Sequence, residues 1–513
     1  MQVPRKPLYG LMFLVIATLA LGVFFRVTNI AQKVYWHDEV FTSIRAAGYT
    51  GEEIVAEVFT GIPISPDKLL QYQKLNFGRN WGKTWYSLTT HPEHPPLYYL
   101  LARLFMELFG SKVAVVRSLS VIFSLLAFPA LYWLYGELFE QSRGQWIAIA
   151  LFAVSPFHVL YSQEARQCSL WTLVTLLSSA ALLRAMRVQS WISWGIYAVT
   201  VALNLYTFLL SILVLMCHSI FVSVARLSVR RFLIALLAGA IAFTPWIAVL
   251  VQNRLSLESK TAWTKTLPPK ELLMKLWGLH LSSSLIDFGL PLDNIYTYVV
   301  PPMVLTLVGY ALWIIYYHAP SRAWLFLVLL IVLPTSALIL PDILLGGQRS
   351  SHTRYFVPML IGVQLAIAYL LNYLLQYSLF IQRVLLTVLL TVGIISCGVS
   401  WRSSTWWNKG ISYGNDSVAA FLNSQDKPVV ISSLGDTTLG NVISLSYLVN
   451  NEVRFQLAID PVVPIISSKA NNFLFYPTGT LIEGLQEIEL FNIELVEYNK
   501  QPLPANLLKL VNR

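Results

Sequence analysis

Residues 8–25 read LYGLMFLVIATLALGVFF, an apolar run long enough to cross a bilayer, and shortly after it stands Tyr35-Trp36-His37-Asp38-Glu39. The first stretch puts the chain in a membrane. The second sets two carboxylates just outside the hydrocarbon, beside aromatic residues suited to the membrane interface. Charged residues make up only 12% of the sequence, so their placement carries information. A carboxylate at that depth can act as a general base on an acceptor hydroxyl.

The composition fits the same class. The 513 residues are 56% hydrophobic, against the ~45–50% of soluble globular domains, and the mean hydropathy is +0.60. This is the composition of a polytopic membrane protein. The net charge of +10 would suggest nucleic acid in a soluble chain. Here it fits cytoplasmic loops and an anionic lipid or phosphate ligand, and no nucleic-acid partner is expected. Cys168, Cys217 and Cys397 lie in or beside apolar spans, with no disulfide or metal-binding spacing.

The first span follows Arg5 and Lys6, and the many spans after it argue for an uncleaved anchor rather than a secretory signal. Further apolar segments fall at 113–135, 145–163, 169–186, 191–208, 209–225, 231–251, 298–317, 322–340, 355–377 and 381–399, with a shorter stretch at 95–109. If that stretch makes no net crossing, the loops holding Arg143, Arg184 with Arg187, Arg226 with Arg230 and Arg231, Arg322, and Arg383 share the side of Arg5 and Lys6. That is the positive-inside pattern, and it gives about eleven net crossings. The expected outer face then holds 29–112, 158–168, 252–297, 341–354 and the tail 401–513.

The loop 29–112 is too long for a simple connector. It contains helical runs such as Glu39 to Phe59, and Trp81, Trp85 and Tyr86 argue for helices lying along the membrane surface. It ends in His91-Pro92-Glu93-His94-Pro95-Pro96-Leu97-Tyr98-Tyr99, where paired prolines lead into a helix. The turn near 160 reads Tyr161-Ser162-Gln163-Glu164-Ala165-Arg166, and a later one reads His352-Thr353-Arg354-Tyr355. Arginines at helix ends near lipid headgroups suit a ligand phosphate better than hydrocarbon.

Asp38-Glu39, the His94 to Tyr99 stretch, Arg117 in a Val-Arg-Ser-Leu run, and Tyr161 to Arg166, in this order over roughly residues 1–400, resemble the C-type (GT-C) integral membrane glycosyltransferases. The similarity is greatest to the protein O-mannosyltransferase and aminoarabinose transferase group, glycosyltransferase family 39. The resemblance implies transfer of a sugar from a polyprenyl-phosphate carrier to an acceptor lipid, glycan or protein on the extracytoplasmic face. It implies Asp38 as base, with Glu39 as neighbour or substitute, and Arg117 and Arg166 near the carrier phosphate. His94 stands where aminoarabinose enzymes carry a lysine. Glu164, Arg354 and Tyr355 join the expected substrate- or phosphate-binding set.

Each role has a plainer competitor. Asp38 and Glu39 suit a helix N-terminus, Glu164 and Arg166 an internal ion pair, Arg117 an interfacial anchor, and His94 a helix start. Hard divalent cations want several oxygen ligands, and Asp38-Glu39 is not an Asp-x-Asp pair. No cofactor or metal is therefore expected, with Mg or Mn as the open alternative. The rival to an enzyme is a transporter or flippase of lipid-linked glycans. Such proteins place ionisable residues at mid-membrane and often show internal repeats, and neither is evident in this sequence.

The expected architecture is thus a polytopic α-helical membrane domain over 1–400 with interfacial helices, followed by a small extracytoplasmic α/β domain over 401–513. In the latter, Lys427 to Ser433, Val453 to Leu457, Asn472 to Tyr476 and Ile493 to Tyr498 read as strands, and Asn441 to Val449 as a helix. Lys270 to Leu281 reads as an amphipathic surface helix, and Trp401 to Trp407 as an interfacial belt.

Overall fold

The computed structural model describes residues 9–140, 143–488, 490–498, 501–503 and 507–513. Arg5, Lys6 and Leu8, which anchor the expected start and orientation of the first span, lie outside them. Among the described residues, seven helices are long and apolar enough to cross a membrane. They are Tyr9–Val27, Val113–Phe139, Cys168–Val188, Tyr296–His318, Ser321–Leu344, Val357–Tyr377 and Leu379–Arg402.

Two further expected spans are bent pairs. Gly144–Ala153 meets Pro156–Ser162 at 57°, and Val229–Ala242 meets Thr244–Gln252 at 50°. Both breaks carry a proline in the first turn of the second helix, where the missing N–H and the ring stop the preceding helix from continuing. The expected spans at 191–208 and 209–225 form shorter helices, Trp191–Thr207 and Ser211–Ala225. The stretch 95–109 is the 13-residue helix Leu97–Phe109, well short of the ~20 residues that a crossing needs.

The chain divides into two compact units. One comprises residues 1–28, 91–98 and 118–402. Its centre is formed by Cys168–Val188 and Val357–Tyr377, each with 83% of its most apolar window buried. Helices apolar on every side belong in such a centre. Close approach depends on small residues. A Cβ on Gly22 would stand 2.4 Å from the Ala153 carbonyl oxygen, and one on Gly393 would stand 2.6 Å from that of Val154. Both glycines therefore press on the break at 153–156.

The other unit comprises residues 29–90, 99–117 and 403–513. Its sheet places the parallel strands Arg454–Ala458, Pro428–Ser433 and Asn471–Phe475 side by side, followed by antiparallel Leu507–Asn512 and Phe491–Leu495. Ile431, Leu474, Leu481, Leu485, Phe491 and Leu510 form a core beneath it. The last segment of this unit starts at residue 403, and the unit also takes in most of the first loop. Gly61 N–H donates to Leu457 O at 2.7 Å, and Ile64 and Phe455 exchange two backbone hydrogen bonds of 2.8 Å. The helix expected over 39–59 is split in two. Gly48, in the left-handed conformation at φ 81°, ends His37–Ala47, and a capping box of Thr50 and Glu53 starts Gly51–Val58.

Candidate active site

In the second unit, the acidic pair opens the helix His37–Ala47. The residue before it, Trp36, is extended and gives no side-chain cap, and both carboxylates lie in the first turn. The positive end of the helix dipole favours them there. The two are not equivalent. Glu39 is fully buried, whereas Asp38 is half-buried.

Glu39 is held by two buried cations. Arg117 donates Nε to Glu39 Oε1 and Nη2 to Oε2, both at 2.7 Å, and Lys409 Nζ donates to Oε2 at 3.0 Å. The other Arg117 donors reach the carbonyl oxygens of Ile30, Lys33 and Val34, each at 2.9 Å. A guanidinium has five N–H groups, and these contacts use all five. The phosphate role that the resemblance gave Arg117 would have to displace one of them, as would a base role for Glu39. Tyr35 lies under the Arg117 guanidinium, 5.3 Å from ring centroid to Cζ, and Tyr447 packs edge-on against Tyr35. Burial raises the Tyr447 phenol well above its ordinary value, and the Tyr35 and Glu39 side chains reinforce the shift, so it stays protonated.

Lys409 was not among the candidate residues. It lies just beyond the tryptophan-rich stretch read as an interfacial belt, and nothing in local spacing ties position 409 to position 39. That belt reading also fails at Trp406, which is buried.

In the first unit, the turn Gln163 to Arg166 follows the short helix Pro156–Ser162. Glu164 and Arg166 are buried, and Arg166 N–H donates to Glu164 O at 2.7 Å. Gln163 Nε2 donates to the carbonyls of Phe25, Arg26 and Thr28, so it closes the end of the first span. Arg26, itself fully buried, answers from that span. It donates to Phe152 O at 3.1 Å and Ala153 O at 2.7 Å, at the end of the first helix of the bent pair. Tyr98 links to the same turn through Ser120, whose Oγ lies 2.8 Å from the Tyr98 hydroxyl and donates to Arg166 O at 3.3 Å. The proline-led stretch and the Glu164 turn, far apart in sequence, are thus brought together.

Arg354 sits in a 3-10 turn, Thr353–Phe356, and both it and Tyr355 are half-buried. The turn is positioned by His280. Its Nε2 lies 3.1 Å from Ser350 O, which can only accept, so Nε2 carries the proton and Nδ1 accepts from Thr353 Oγ1 at 2.7 Å. Asp342 fixes the neighbouring loop, accepting from Ser350 N–H and hydroxyl and from Arg349. Glu164, Arg166 and Arg354 all act electrostatically on Cys168, which places the three charges around one helix start. Tyr355 packs against His352 and Phe208. His94 lies 3.7 Å from Glu93, an ion pair only when the imidazole is protonated. Among the described residues, no three His, Cys, Asp or Glu side chains converge as a metal site.

Comparison with known proteins follows this geometry. Residues 93–251 match the family model of dolichyl-phosphate-mannose-protein mannosyltransferases. No curated protein matches the sequence. Among solved structures, ArnT from Cupriavidus metallidurans in the apo state is similar at 11% identity and a TM-score of 0.53, with 98% of each chain covered. The same enzyme bound to undecaprenyl phosphate gives 12% identity and a TM-score of 0.54, again with 98% of each chain covered. End to end, the chain has the fold of a C-type (GT-C) integral membrane glycosyltransferase, as the resemblance of its motifs implied.

Proposed function

We propose that the protein transfers a sugar from a polyprenyl-phosphate-linked donor to the hydroxyl or phosphate of an extracytoplasmic acceptor. The observation that carries this reading is the match of residues 93–251 to a lipid-phosphate-sugar transferase model, on a chain with the fold of ArnT throughout. The site supports it. With Glu39 committed to Arg117 and Lys409, Asp38 is the carboxylate of the pair suited to serve as base.

In the proposed step, Asp38 accepts the acceptor proton as the acceptor oxygen bonds to the anomeric carbon. The bond from that carbon to the phosphate oxygen breaks, and its electron pair leaves with the phosphate. A phosphate leaving group needs no protonation, so positive charge beside it is enough. The charge bias of the loops supports an extracytoplasmic site.

The experiment is transfer of radiolabelled sugar from synthetic undecaprenyl-phosphate donors carrying different sugars, by purified protein in liposomes with lipid, glycan and protein acceptors. Transfer from at least one donor is expected. Movement of labelled lipid across the vesicle without transfer would replace the enzyme with a flippase.

A further inference from the structure

We infer that Arg45 is an anion-binding residue that holds a phosphate of the substrates in the second unit. The inference rests on the transferase reading above.

Arg45 is 5% exposed, and its Nε and Nη1 are buried with no hydrogen-bond partner in the protein. It makes no ion pair among the described residues. What surrounds the guanidinium is aromatic: Cζ lies 5.4 Å from the Phe41 ring centroid and 5.7 Å from that of Tyr99. The other arginines of this part of the unit are satisfied. Arg79 donates to Glu53 and to Gly48 O, and Arg103 donates to Glu107, Ala46 O, Thr84 and Arg79 O. Arg117 uses all five of its donors, as described above.

Ring faces stabilise a cation but accept little from its N–H groups, so they do not replace the water that burial removes. A buried guanidinium with open donors is therefore poised for an anion, and its planar fork matches phosphate. Its position fits the proposed reaction. Arg45 follows Asp38 by seven residues on one helix, which puts both on the same face. Helical side chains lean toward the N-terminus, and the Phe41 contact, one turn back, shows this one doing so. The guanidinium is thereby directed toward the turn that carries Asp38. Two phosphates have the right chemistry, that of the carrier and one borne by the acceptor.

The test compares wild type with Arg45→Met and Arg45→Lys in detergent, reading thermal midpoint with and without undecaprenyl phosphate, and separately with phosphatidic acid as a phosphorylated-lipid probe. Removing an unpaired buried charge should raise the midpoint of Arg45→Met without ligand. The same variant should lose the ligand-induced rise seen in wild type, and Arg45→Lys should retain part of it. Loss confined to undecaprenyl phosphate assigns the carrier, and loss confined to phosphatidic acid assigns an acceptor phosphate. A lowered midpoint with both ligand responses intact would overturn the inference, since a packing role predicts that result. Asp38→Asn is run alongside. Full sugar transfer by Asp38→Asn refutes the base assignment and leaves the Arg45 binding result standing.

Discussion

Arg117→Met separates two roles for the same residue. The resemblance to the transferase family puts this arginine at the carrier phosphate, while the structure commits its donors to Glu39 and to the carbonyls of Ile30, Lys33 and Val34. The substitution leaves Glu39 buried with Lys409 as its remaining cation. Breaking a buried ion pair from one side costs ~3–5 kcal/mol, and the surviving lysine keeps the charge term near the lower limit. Each carbonyl that loses its donor adds ~1 kcal/mol unless water reaches it. A total of roughly 3–6 kcal/mol corresponds to a fall in thermal midpoint on the order of 10 °C for a domain of this size. Arg117→Lys should rescue little, because three donors on one ammonium cannot serve five acceptors spread around a plane. The assay is tryptophan fluorescence during heating in detergent, paired with undecaprenyl-phosphate binding measured below both transitions. An unchanged midpoint with a large loss of carrier affinity would refute the reasoning and put Arg117 on the ligand.

Other consequences follow from individual side chains. Burial lowers the His280 pKa from 6.5 to about 4, so the folded protein binds this proton less readily than the unfolded chain. The stability it contributes is complete above pH 6.5 and is lost as the pH falls toward 4, by roughly 3 kcal/mol in all. His280→Gln should flatten the fall in thermal midpoint over that window. Arg26→Met takes from the Ala153 carbonyl its side-chain donor, and should cost ~1–3 kcal/mol, read as a lower midpoint and faster proteolysis. Lys409→Met removes a cation that holds the buried Glu39 carboxylate, so the thermal midpoint should fall. An unchanged midpoint would show that Lys409 does not hold Glu39.

Much of the fold was legible because long apolar runs and alternating strands are local patterns. Lys270–Ser282 and the strand Pro428–Ser433 fall within a residue of where the sequence put them. The helix Gly479–Glu487 and the strand Leu507–Asn512 were missed, the second because its apolar residues pack only once it joins the sheet. The bends at Pro156 and Pro245 were not legible, because they lie inside apolar runs that look continuous. At the candidate site, the acidic pair was visible, but the division of labour between its members was not. Which carboxylate is buried depends on Arg117 and Lys409, 78 and 370 residues from Glu39, and no spacing rule joins those positions. The same limit hid His280 behind Arg354.

The central claim is that Asp38, and not Glu39, takes the proton from the acceptor. Its most direct measurement is single-turnover sugar transfer by Asp38→Asn, with undecaprenyl-phosphate binding and thermal midpoint measured on the same preparation. Transfer should fall at least 100-fold, within the range of ~10²–10⁴ for loss of a general base, while binding and midpoint stay near wild type. Transfer at the wild-type rate by a folded, carrier-binding Asp38→Asn would contradict it.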